Sequence, residues 1–107
     1  MKALNNMTFI YNATTQFNVA ISRIENADTY ESARRRANYA IGFVECLMIY
    51  LNTMICKENN DFTADFGQTL DIMMHTIYQA LADKARATEQ DSEEVLKILK
   101  KRDEYRS

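Results

Sequence analysis

The sequence predicts an all-α fold, an antiparallel four-helix bundle in which residues 1–107 form one domain, and three observations lead there. Only two glycines and no proline occur in 107 residues, too few for a sheet protein, whose hairpins need backbone angles that other residues adopt at a cost. Hydrophobic residues make up 47% of the chain, enough for a core and too many for a disordered segment. They also recur at three- and four-residue steps in four blocks separated by polar breaks. A chain of this length builds one core rather than two.

The first helix is expected over residues 5–25, where Met7, Ile10, Tyr11, Phe17, Ile21 and Ile24 share a face. Asn12, Thr15, Gln16, Asn18 and Ser22 cover the rest. After the break from Glu25 to Thr29, Asp28 and Glu31 have the spacing of a capping box that opens the next helix. The second helix, over residues 29–57, is the longest. Its seam runs through Ala33, Ala37, Ala40, Ile41, Val44, Leu47, Met48, Leu51, Met54 and Ile55. A second apolar set, Tyr39, Phe43, Cys46 and Tyr50, lies on another face of the same turns. A helix that is apolar on two sides is either central to its bundle or open to a partner.

The polar stretch Lys57–Asp61 ends that helix, and Asp61, Thr63 and Asp65 are candidate caps for a third over residues 64–86. Its stripe is Phe66, Leu70, Met73, Met74, Ile77 and Leu81, and Gly67 near its start implies a late start or a close backbone approach. Thr88–Ser92 breaks the pattern, with Asp91 and Glu94 again spaced as a capping box. A short last helix over residues 92–104 carries Val95, Leu96, Ile98, Leu99 and Tyr105. It closes on Lys100, Lys101 and Arg102, positive charge where the macrodipole favours it.

Several function classes are excluded. Thirteen basic residues against fifteen acidic ones give a net charge of -2 and no broad positive field, so no nucleic-acid partner is expected. Arg34, Arg35 and Arg36 read as a solvated face one turn from Glu31. The longest purely apolar run, Cys46 to Leu51, falls far short of the ~20 residues that span a bilayer, and the opening residues lack the apolar core of a signal peptide. A cytoplasmic protein without membrane insertion is expected. Cys46 and Cys56 on one helix lie about 15 Å apart along its axis, too far for a disulfide, and read as small apolar packers in a reducing compartment. With one histidine, His75, no zinc sphere assembles, and its position four residues after Asp71 suggests an ion pair on a solvated face. Glu45 reads as an edge residue reaching water. Neither a nucleophile–base pair nor a Glu-x-x-His pattern occurs, so no catalysis, metal or cofactor is expected.

From here the pattern resembles the flagellar export chaperones of the FliS type, which bind newly made flagellin. Phe9-Ile10-Tyr11-Asn12-Ala13 is similar to the family's Leu-Tyr-Asp/Asn-Gly/Ala signature, followed by Ala20-Ile21 and Ile24-Glu25-Asn26-Ala27-Asp28. Arg36-Ala37, Ala40-Ile41, Leu47 and Leu51-Asn52 resemble the second-helix pattern. Leu70 to Leu81 resembles the third-helix stripe, with Met74 where tyrosine is usual. Val95 to Tyr105 resembles the close of the family, with Tyr105 for tryptophan. Two departures stand out. The segment from Asn52 to Leu70 is longer than the family's connection, so the second helix or its loop should be extended, and little of the family's amino-terminal arm precedes Tyr11.

The resemblance implies a chaperone whose client is the carboxy-terminal helical segment of flagellin, or a related secreted subunit, held so that it cannot polymerise before export. The expected groove lies on the second and third helices: Tyr39, Phe43, Tyr50 and Met54 from one, Met74 and Tyr78 from the other. Methionines at 48, 54, 73 and 74 suit such an adaptable surface. On this reading a charged residue at Phe43 leaves stability nearly unchanged. The alternative is a structural or regulatory bundle whose second apolar face is a homodimer interface.

Overall fold

The computed structural model describes the backbone of residues 2–57 and 61–105, and the side-chain surroundings of residues 8–53 and 64–105. Four helices follow one another: α1 (Lys2–Glu25), α2 (Tyr30–Lys57), α3 (Asp61–Ala87) and α4 (Ser92–Arg102). No strand occurs among the described residues. The rod they form measures 49 × 23 × 17 Å.

Neighbours in sequence run antiparallel. Phe9 of α1 meets Tyr50 of α2, while Arg23 at the far end of α1 meets Arg36. Leu51 of α2 lies against Gly67 of α3. Gln79 of α3 meets Arg102 of α4. α1 and α3 run parallel, since Phe9 touches Phe66 and Glu25 touches Lys84. α3 packs against all three other helices, whereas α4 packs its backbone on α3 alone.

The seam of α2 is a regular alternation of four- and three-residue steps: Ala33, Ala37, Ala40, Val44, Leu47 and Leu51 are all buried. Facing it, α1 buries Ala13, Phe17, Ala20 and Ile24, and Ala27 follows in the turn. Alanine at so many facing positions lets the two helices approach toward the lower end of the usual ~8–10 Å spacing. α3 buries the expected stripe of Phe66, Leu70, Met73, Met74, Ile77 and Leu81, together with Ala82 and Ala85. α4 buries Val95 and Ile98.

Helix ends are settled by local chemistry, and the caps of α2 and α4 differ from expectation. α2 is capped by Thr29 rather than Asp28: the Ser32 amide donates to Thr29 Oγ1 at 3.0 Å, because a hydroxyl at that position reaches the third amide of the helix. At α4 the Glu94 amide donates to Asp91 Oδ1 at 2.8 Å, but the Glu94 carboxylate accepts from Tyr30 instead of closing a reciprocal box. The carboxy-terminal carbonyls of α1 are satisfied by other helices: Arg36 Nη1 donates to Arg23 O and Lys84 Nζ to Glu25 O, each at 2.7 Å. α3 closes in a Schellman turn, with the Gln90 amide on Ala85 O and the Glu89 amide on Arg86 O, and Glu89 takes φ 60° in the left-handed region.

α1 begins at Lys2 rather than residue 5, and Lys2, Ala3 and Leu4 are good helix formers. The extra length between Asn52 and Leu70 goes into helix, since α2 reaches Lys57 and α3 opens at Asp61. Asp61 and Thr63 as caps lie outside the described side chains, whereas Asp65 sits within α3. Gly67 is a close approach: a Cβ there would lie 3.5 Å from Leu51 Cδ2.

Candidate functional site

Two flanks of α2 carry the chain's unusual side chains. On a helix that turns about 100° per residue, Tyr39, Phe43 and Tyr50 fall on one side of the buried alanine seam, and Tyr30, Ile41, Glu45 and Met48 on the other. The first side faces α1. The second faces α4.

On the α1 side, the Phe9 ring stacks on Tyr50 with centroids 4.9 Å apart, and its edge meets Phe66 at 5.6 Å. Phe9, Asn12, Ala13, Gln16, Phe43 and Leu47 line a shallow depression of about 200 Å³. Further along the same seam, Ala20, Arg23, Arg35, Arg36 and Tyr39 line a second one of about 210 Å³. Tyr39 is 70% exposed and Tyr50 47%. Aromatic rings that stand this far out of a bundle are not explained by its core.

On the α4 side the surface is closed by the chain itself. Tyr30 donates to Glu94 Oε2 at 2.5 Å, Arg102 Nη1 donates to Gln79 Oε1 at 2.6 Å, and Tyr78 stacks on Tyr105 with centroids 6.1 Å apart. Burial, and then the Glu94 carboxylate, push the Tyr30 hydroxyl up to about 12 despite the opposing Arg34 charge. Tyr78 and Tyr105 are also raised, by burial first, then by Tyr105 at Tyr78 and by Glu104 at Tyr105, with Glu45 adding to both. A polar cleft of about 560 Å³ opens beside Tyr30, between Arg34 and Asn38 of α2 and Asp91 and Glu94 of α4.

The expected groove on α2 and α3 is therefore not assembled. Met74 is 1% exposed and belongs to the core, because α3 touches three helices and spends most of its apolar circumference on them. Tyr78 is half-buried beneath Tyr105. Tyr39, Phe43 and Tyr50 stay together, but on the α1 flank. Phe43 is half-buried and packs against the core, so it is less free than a surface residue. Met54 lies outside the described side chains. The methionine surface is also withdrawn: Met73 is buried with Met74, and Met48 is half-buried. Tyr11, assigned to the buried stripe of α1, is 72% exposed.

Cys46 is exposed rather than a core packer, since its position points away from the alanine seam. The side chain of Cys56 lies outside the described residues. Asp71 and His75 are half-buried one turn apart without an ion pair between them. Glu45 is exposed, at the edge of α2. Among the described residues, no group of three or more histidine, cysteine or acidic side chains is placed to share a metal ion. No described helix is long and apolar enough to cross a membrane.

Sequence reasoning missed Phe9 and Gln16 as surface-forming residues, and gave Arg23, Arg35 and Arg36 no role in the site. The available signal was phase: Phe9 and Gln16 are seven apart, one helical face, and that face adjoins the alanines at 13 and 20. Comparison with protein-family models, with curated proteins and with solved structures finds no match to this chain.

Proposed function

We propose that this protein is a non-catalytic cytoplasmic chaperone that holds a helical segment of a secreted flagellar subunit, with the carboxy-terminal segment of flagellin as its client. The sequence resemblance supplies the client class. The observation that carries the binding mode is Tyr39 and Tyr50 standing out along the α1–α2 seam beside the half-buried Phe9 and Phe43, an apolar flank that no other described element of the chain covers. A helix laid in this seam would rest on anchors along one face, the helix-in-groove mode of recognition.

Affinity should be modest. Four anchors that are already partly buried gain less than the ~1.5–3 kcal/mol of a fully transferred side chain, and association and ordering take back ~4–15 kcal/mol. A dissociation constant on the order of micromolar follows, and it suits a client that must be released for export.

The test is fluorescence anisotropy with a labelled carboxy-terminal flagellin peptide. Saturable micromolar binding that Tyr50→Asp weakens more than tenfold supports the proposal. No binding at about a hundred times that concentration overturns it. A stable dimer in analytical ultracentrifugation, dissociated by the same substitution, would instead make this flank a homodimer interface.

A further inference from the structure

The α1–α2 flank changes character along its length. One end, around Phe9, Phe43 and Tyr50, is aromatic and uncharged. The other gathers Arg23 from α1 with Arg35 and Arg36 from the second turn of α2. In a chain whose net charge is -2, this local cluster of guanidinium groups is a marked departure. Among the described residues none of the three is in an ion pair, although Glu25, Asp28 and Glu31 lie near in sequence. Arg36 has a structural task, donating to the Arg23 carbonyl at the end of α1. Arg23 and Arg35 have none, and with Tyr39 they rim the depression at that end.

We propose that this flank selects an acidic amphipathic protein segment, with apolar side chains seated between Phe9 and Phe43 and carboxylates against Arg23 and Arg35. The inference rests on the reading that the seam holds a partner helix, and it adds the partner's charge and its direction of lie. Three observations combine. The Arg23 and Arg35 guanidinium groups have no hydrogen bond or ion pair within the described residues, so a carboxylate would relieve their mutual repulsion and bind in a bidentate manner. The depression they rim lies one helical turn along the same seam from the apolar one, Ala20 following Gln16 and Tyr39 preceding Phe43 by four residues, so a single ligand laid along both would be anionic at one end and apolar at the other. From Phe9 to Arg23 the seam runs about 21 Å, some fourteen residues of an α-helix at ~1.5 Å each, which sets the length of the segment. A nucleic acid would meet the arginines but leave the uncharged half of the seam unmatched, and the remainder of this acidic chain would repel it.

The experiment uses labelled amphipathic peptides of about fourteen residues that share one apolar face and end in a cluster of glutamates, glutamines or lysines. At about 50 mM salt the glutamate peptide should bind roughly tenfold more tightly than the glutamine peptide, and the lysine peptide more weakly than both. That advantage should shrink as salt is raised. The double substitution Arg23→Ala and Arg35→Ala should abolish it while leaving the glutamine peptide's affinity unchanged, with Arg36 kept because it caps α1. Circular dichroism checks that the variant stays helical, and Arg35→Gln alone serves if it does not, expected to remove about half of the preference on a logarithmic scale. Equal binding of the glutamate and glutamine peptides overturns the inference, and so does a variant that weakens both peptides alike. A single-stranded oligonucleotide that competes as well as the glutamate peptide also overturns it. If the flagellin peptide binds but glutamate gives no advantage, only this inference fails; if even the glutamine peptide is not held, the underlying reading fails as well.

Discussion

The two flanks of α2 were dealt opposite fates by the same bundle. Toward α4, every tyrosine has a partner from the chain: Tyr30 has Glu94 and Tyr78 has Tyr105. Toward α1, Tyr39 and Tyr50 stand out into solvent beside Phe9 and Phe43. The difference lies in what fills each interface. α4 is short, buries only Val95 and Ile98 fully, and completes its attachment with polar contacts and a ring stack at its edges. α1 is long and covers the α2 seam with Ala13, Phe17, Ala20 and Ile24, and no described element lies over Tyr39 and Tyr50 at its edge. The comparison teaches that rings at the edge of a helix pair stay exposed unless a further element brings them a partner.

The largest effect should come from overfilling the buried seam. Ala37→Leu adds bulk at a fully buried position in the α2 seam, and should cost about 3 kcal/mol in urea unfolding. An unchanged midpoint would show that the core there has slack. Next comes a charge at the rim: Tyr39→Asp should weaken client binding more than tenfold, about 1.4 kcal/mol, while shifting stability by no more than ~0.5 kcal/mol. Phe43→Asp, by contrast, should also lose about 1–2 kcal/mol of stability because that ring packs on the core.

A smaller change tests the opposite flank. Tyr30→Phe should remove about 1 kcal/mol by deleting the bond to Glu94. It should also alter alkaline stability in a fixed direction. The Tyr30 hydroxyl titrates near 10 when unfolded and at about 12 when folded, so the stabilisation is complete below pH 10 and is lost as the pH rises from 10 to 12. The phenylalanine variant should lack this part of the alkaline loss, read as a flatter midpoint against pH. Smallest of all, Glu89→Gly should raise stability by roughly 0.5–1 kcal/mol, because glycine adopts the left-handed angle at that turn without a Cβ penalty.

Much of the fold was legible in the sequence, and less of the surface. Periodicity located all four helices, and the stripe from Phe66 to Leu81 is buried as read. The polar break after Ala87 was visible, but not that its left-handed residue would be a glutamate, since the usual glycine signal is absent. Hydrophobicity alone undervalued Ala13, Ala20 and Ala27, and so promoted Tyr11 into a stripe it does not join. The site reading failed at Met74 and Tyr78 for a related reason. A one-dimensional pattern shows that a face is apolar, but not which neighbouring helix claims it, and α3 turned out to have three claimants. Tyr39, Phe43 and Tyr50 were identified together because one helix fixes their phase without help from its neighbours.

The order of the helices along the rod also bears on how fast it forms. Each of α1 and α2, α2 and α3, and α3 and α4 is a pair adjacent in the chain and folded back on itself; among the described residues, the parallel packing of α1 with α3 and the Tyr30–Glu94 bond between α2 and α4 join segments that are not consecutive. Loop-closure entropy is therefore small for most of the core, and helical proteins of this local topology fold in microseconds to milliseconds. The α1–α2 hairpin, with its alanine seam, is complete in sequence before α3 has been synthesised. A seam that serves as a docking surface would thus be among the first parts of the chain to acquire its shape during translation.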